Sequence, residues 1–165
     1  MALLAAPKIE LILESVRTRL VAINATLSPD VYHSKVRRVV RGVMPPDDAD
    51  GYTLMITALE RPYTEMTEGG RVTGGNTKGT QYRLLVLGVE AWIDHEYLTD
   101  TESIAIAADI EYAVLLDRYQ GGHAKNSWWV STTRQPVQIT TPVGHLRVEF
   151  NVMFRTVFGE PSTQI

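Results

Sequence analysis

The chain from His145 to Phe158 alternates in character residue by residue. Leu146, Val148, Phe150, Val152, Phe154, Thr156 and Phe158 fall on one parity, with His145, Arg147, Glu149, Asn151, Met153, Arg155 and Val157 on the other. Side chains alternate across a strand, so this period of two predicts a strand with one apolar row on a core and one mainly polar row toward water or a partner. At about 3.3 Å per residue it reaches roughly 45 Å, long enough to span a whole sheet.

The remaining segments take their places around it. From Pro7 to about Asn24, Ile9, Ile12/Leu13, Val16, Leu20 and Ile23 recur every three or four residues while Glu10, Glu14, Arg17 and Arg19 occupy other faces. That is an amphipathic helix packed on a sheet. Val31 to Arg41 reads as a strand in which Lys35, Arg37, Arg38 and Arg41 interleave with Val36, Val39 and Val40. Such a strip is either a partner-facing or anion-facing surface or a solvated edge strand whose cations discourage pairing. Tyr52 to Glu60 is the next strand, with Tyr52, Leu54, Ile56 and Ala58 alternating with Thr53, Met55 and Thr57. Gln81 to Asp94 is a third strand, apolar on both parities through its middle, and it calls for cover on two sides from a helix or another subunit.

Between those two strands lie residues 61–80, with five glycines and almost no large apolar side chain. Long unstructured connections are uncommon in compact domains, and this one reads as an extended β-hairpin loop that either orders against something else or is a floppy insertion. Thr99 to about Tyr119 is the second helix, opened by a Thr99/Glu102 capping box and closed by Gly121 and Gly122. Ile104, Ala108, Tyr112, Leu115 and Tyr119 form one apolar stripe and Ile106, Ile110, Ala113 and Val114 a second, which predicts burial on more than one side. Ser127 to Thr140, interrupted by Pro136, is an edge strand with a bulge or two short strands. The fold class expected is therefore α/β in the α+β sense: an antiparallel-rich mixed sheet of about five strands covered by two main helices. Its order is α-β-β-β-α-β-β in a single domain over residues 1–165, with residues 160–165 as a short tail.

Composition narrows the chemistry. The chain has no cysteine, which excludes disulfides, thiolate metal sites and cysteine nucleophiles. A net charge of −3 gives no global attraction to nucleic acid, so any basic surface is local. No run of apolar residues is long enough to span a membrane, and the N-terminal Met1–Ala6 lacks the basic segment of a signal peptide. Asp94, His95 and Glu96, with His33, His123 and His145, are the only metal-site candidates, but adjacent strand residues point to opposite faces and no ligand spacing recurs. The glycines, Thr77 and Lys78 of residues 69–79 resemble a phosphate loop in content but not in spacing, and they lead into a strand rather than a helix. No G-x-S-x-G elbow is present. Trp128 and Trp129 lack the basic background of a base-stacking platform and read as core or interface aromatics. The expectation is a chain that is not an enzyme, with no cofactor and no metal.

The early amphipathic helix, the Gly-rich hairpin loop, the Leu84–Trp92 strand, the acidic Ala-rich helix from Thr99 and the ending Val148–Pro161 together have a familiar arrangement. With Phe154-Arg155-Thr156 and Gly159-Glu160-Pro161 in that ending, most of the chain resembles the tail terminator proteins of long-tailed bacteriophages. The resemblance implies a structural virion protein at the tail–neck region, assembled in the host cytoplasm. It implies a hexameric ring of copies of itself that caps the tail tube, stops its polymerisation and offers its other face to head-completion or neck proteins. Sheath joins these partners if the tail contracts, and DNA only passes through the lumen. A neighbouring head–tail joining protein and, from a different class, a small nucleic-acid-binding module are the alternatives. The candidate partner-interface residues are Arg37, Arg38 and Arg41 on the basic strip, Arg61, Arg71 and Lys78 on the hairpin loop, Ile106 and Ile110 on the second helix, and Arg147, Glu149 and Arg155 on the long strand.

Overall fold

A computed structural model describes residues 7–42, 52–62, 80–93, 100–134 and 144–157. The elements follow the expected order: α1 (Lys8–Val21), β1 (Val36–Arg41), β2 (Tyr52–Pro62), β3 (Thr80–Ile93), α2 (Asp100–Leu115), β4 (Asn126–Arg134) and β5 (Gly144–Val157). The strands form one sheet in the order β1-β2-β3-β5-β4, with β1 parallel to β2 and every other pair antiparallel.

The long last strand lies inside the sheet. It pairs with β3 along its full length and with β4 on its other side over Leu146–Met153, so through its middle it is flanked by strands that supply backbone partners on both sides. Leu146, Val148, Phe150, Val152, Phe154 and Thr156 are all buried, as their parity requires. Beside them, Leu54 and Ile56 of β2 and Leu85, Leu87, Val89 and Ala91 of β3 complete one apolar face.

Both helices lie against that face. α1 packs over β1 and β2 through Ile12, Leu13, Val16 and Leu20, and α2 packs over β5 and β4 through Ile106, Ile110, Ala113 and Val114. One continuous core results, with the helices on one side of the sheet only. Among the described residues no helix covers the second side of β3: Leu84 and Val86 on its other parity are only partly buried.

β1 and β4 are the two edge strands. The cation-rich strip is therefore an edge strand, and the structural strand is shorter than the expected Val31–Arg41 because residues 25–34 form turns. β4 is an edge strand with a register shift between Trp129 and Ser131; the expected interruption at Pro136 and the Thr99 capping position lie outside the described residues.

Two buried polar side chains fix the connections. Asp109, 2% exposed, accepts the backbone N–H groups of His33 (3.0 Å) and Ser34 (2.7 Å), which ties the turn before β1 to the middle of α2. Gln120 is fully buried with φ of 47°, and its amide donates to the Val114 carbonyl at 2.9 Å, satisfying one of the free carbonyls at the end of α2. Gly121 and Gly122 follow at positive φ. The Gly121 N–H donates to Asp117 at 2.8 Å, and with the Tyr119 N–H and nearby Arg19 it holds the Asp117 carboxyl below the usual carboxylate range. Burial and the nearby carboxylates of Glu102 and Asp109 push the Tyr52 hydroxyl up to about 12, so it remains a neutral member of the core edge.

Candidate interaction surfaces

Among the described residues three surfaces lie outside the core, and each collects residues singled out in the sequence. The first is the open face of the sheet. Arg147 on β5 lies opposite Glu90 on β3, and its guanidinium donates to Glu90 at 2.7 Å, to Thr57 on β2 at 3.3 Å and to Glu149 on its own strand at 3.3 Å. This cation crosses three strands because Gly88 leaves it room. A Cβ at Gly88 would stand 2.6 Å from both the Arg147 guanidinium carbon and the Thr57 hydroxyl, well inside van der Waals contact.

Around this polar centre Met55, Leu84, Val86, Trp92 and Met153 are partly buried. Arg155 sits further along the same row, 5.6 Å from the centroid of the Tyr82 ring, a cation–π distance. Lys8 reaches the same end of the sheet, where its buried ammonium donates to the Arg155 carbonyl at 2.8 Å. Burial, then the neighbouring charges of Lys125 and Arg155, lower its affinity for a proton.

Glu90 keeps only 12% of its side chain exposed, and Arg147 is its ion-pair partner. Replacing Arg147 by Met keeps the aliphatic stem and removes the charge. A charge-assisted hydrogen bond of this kind contributes about 1.5–3 kcal/mol. Arg147→Met is expected to lower stability by about that amount in urea titration, and an unchanged midpoint would mean that the network is ornamental.

The second surface is the β1 edge. Lys35, Arg37 and Arg38 are exposed there, whereas Arg41 is engaged by Glu10 of α1 through hydrogen bonds of 2.6 and 3.1 Å. Between α1 and β1 runs a shallow groove of about 630 Å³ whose walls include Arg17, Val21, Arg37, Arg38 and Val40.

The third surface is the outer side of α2, where the sequence reading needs correction. Ile106 and Ile110, expected at a partner interface, are both fully buried against the sheet and belong to the core. Of the other stripe, Ile104 (62%), Ala108, Tyr112 (48%) and, beyond the end of α2, Tyr119 (62%) are exposed, whereas Leu115 packs partly against the core; Leu116 (58%), just past the helix, is exposed beside them. Periodicity revealed two stripes but could not rank them, as both are apolar. Tyr112 meets Tyr32 edge-on with ring centroids 6.0 Å apart.

Arg61 is exposed on β2 near the base of the hairpin, while Arg71 and Lys78 lie outside the described residues, as do Asp94–Glu96. Among the described residues no group of three His, Asp or Glu side chains is placed to hold a metal ion, and no helix is long and apolar enough to cross a membrane. The anchoring role of Asp109 went unread in the sequence. A signal was present, because an aspartate between Ile106 and Ile110 on a core stripe must find donors.

Compared with known proteins, the chain matches no family model. No curated protein is significantly similar to it in sequence. Among solved structures it is similar to a chain of the virion of a native gene transfer agent particle, with 13% identity, a TM-score of 0.53, and coverage of 86% of this chain and 92% of that one. At that identity the likeness defines a shared fold, one that extends over nearly the whole of both chains.

Proposed function

We propose that this chain is a structural virion protein of a long-tailed phage or phage-like particle. More specifically, it acts as the tail terminator: a ring of six copies that caps the tail tube, stops its growth and presents its other face to the neck proteins. The observation that supports this reading is the end-to-end likeness in fold to a chain of a gene transfer agent virion, which agrees with the sequence resemblance to tail terminators. The role is assembly rather than catalysis, and the partners are further copies of itself, the tube protein and the head-completion protein.

The monomer's surface fits such a role. A subunit in a closed ring needs two different complementary patches, and this chain exposes an apolar helix stripe and a cation-rich sheet edge. A head–tail joining protein elsewhere in the neck is the alternative, and assembly distinguishes the two. Purified protein mixed with growing tail tubes is expected to cap one end and hold the tubes at a fixed length in negative-stain images. Tubes that keep growing uncapped while the protein binds only head-side components would replace the terminator reading with the neck-protein one.

A further inference from the structure

We propose that the outer stripe of α2 on one copy packs against the open face of the sheet on the next, over the part of β2, β3, β5 and β4 nearest the hairpin. This rests on the ring reading above and names the two surfaces that build the contact. The helix supplies the first. Of the exposed residues of α2, Thr101, Ile104, Ala108 and Tyr112 are uncharged, and Asp100, at the first position, pairs with Arg134. Leu116 continues the row just past the helix. A helix face turned to water ordinarily carries charge. On side chains of roughly 150–250 Å² each, the exposed fractions of Ile104, Tyr112, Leu116 and Tyr119 leave on the order of 400 Å² of apolar surface in contact with water. That is the size at which a patch marks an interaction site, and about half of what one partner brings to a standard interface.

The strand register builds the second. Leu59 lies opposite Val86, Val86 opposite Asn151 and Asn151 opposite Trp128. These four side chains share the face away from the helices, because directly opposed residues on neighbouring strands point to the same side of a sheet. The next row adds Leu84 opposite Met153. Leu59 is 55% exposed, and Leu84, Val86, Trp128 and Met153 are partly buried with no helix over them among the described residues. Asn151 is the one polar member of the two rows, and it is uncharged. Charged side chains border both surfaces, Arg61 and Arg155 on the sheet and Glu111 and Arg118 beside the helix stripe, and none stands among the apolar side chains of either. An apolar centre with a polar rim is the usual anatomy of a protein interface. The dimensions agree as well: Ile104 to Tyr112 rises about 12 Å along the helix, and the row from Leu59 to Trp128 crosses three strand spacings, about 14 Å.

Position makes the occupant a second copy. The stripe faces outward from the helix layer and the patch lies on the other side of the sheet, so one chain cannot bring them together. A head-to-tail contact between copies covers both kinds of surface at once, and it propagates until the rotation closes. An isologous contact through either surface would leave the other in water.

Thiol placement tests this directly. The chain has no cysteine, and Ala108 and Leu59 are exposed, so Ala108→Cys and Leu59→Cys each put a single thiol on one of the two surfaces without touching the core. The full chain is treated with a short bis-maleimide, in solution and on tail tubes. A mixture of the two variants is expected to give a covalent dimer and the Ala108→Cys/Leu59→Cys double variant a ladder of oligomers, whereas either single variant alone stays uncoupled. Adding Ile104→Glu to the Ala108→Cys chain is expected to lower the yield of that dimer by about tenfold or more, since a carboxylate then enters an apolar contact. Leu116→Glu gives the same loss should Ile104→Glu perturb folding, which melting curves reveal.

Coupling of Ala108→Cys to itself overturns the proposal in favour of a two-fold helix contact, and coupling of Leu59→Cys to itself overturns it in favour of sheet faces stacked on each other. A mixture that fails to couple both in solution and on tubes overturns it too, as does a dimer yield that the glutamates leave unchanged. Tube capping is scored separately. Coupling in a protein that never caps tubes supports the contact and removes the terminator reading, whereas capping without coupling in the mixture removes the contact alone.

Discussion

Ile110→Glu is expected to abolish folding of the isolated chain, while Ile104→Glu, six residues earlier on the same helix, is expected to leave its stability within about 0.5 kcal/mol of the parent. Ile110 is fully buried between α2 and the sheet, whereas Ile104 is 62% exposed. A carboxylate at the buried position has no cation to meet in the apolar core, and an unpaired charge there costs at least several kcal/mol, comparable to the whole stability of a domain. Circular dichroism melts of both variants check the pair. A cooperative transition for Ile110→Glu near the parent's would mean that α2 does not pack through this stripe. The same experiment separates folding from assembly, because a folded Ile104→Glu protein can then be examined for loss of self-association.

The second large effect is expected in the long strand. Phe150 and Phe154 are among the largest fully buried side chains, and they lie on β5 between β3 and β4. Truncation to alanine removes most of the ring and leaves a cavity that flanking strands, paired on both sides, cannot collapse to fill. Phe150→Ala and Phe154→Ala should each cost about 3–5 kcal/mol. For a chain of this size that corresponds to roughly 10 °C or more in melting temperature. An interior strand yields less than an edge strand, so Phe150→Ala should exceed the loss from Trp129→Ala on β4, where the side chain is 45% exposed. Equal losses at the two positions would contradict the interior placement of β5.

These two results bear on the function through one feature of the architecture. Among the described residues both helices close the same face of the sheet, and the core between them is built from this chain's own side chains. The other face holds Arg147, Glu90, Glu149 and Thr57 in a network anchored within the chain. Under the proposed function, assembly would use surfaces already exposed on the folded chain. The outer stripe of α2 and the β1 edge meet that requirement, and Ile106 and Ile110 do not.

The sequence by itself determined the elements and their order. Alternation in residues 145–158 is a local property of the backbone, since a strand turns each successive side chain to the opposite face. The parity of β5 was therefore readable without knowing its neighbours. The amphipathic period of α1 and the cationic edge character of β1 were legible for the same reason. Only the tertiary structure decided which strands neighbour which, that β1 runs parallel to β2, and that β5 lies between β3 and β4. Pairing depends on contacts between residues distant in sequence, and a pattern of polarity carries no label for its partner. The same limit explains α2. Its two stripes are equally apolar, and the choice between core and surface was made by which one faced Phe150 and its neighbours across the sheet, with Asp109 fastened to the backbone of residues 33 and 34 to hold that orientation.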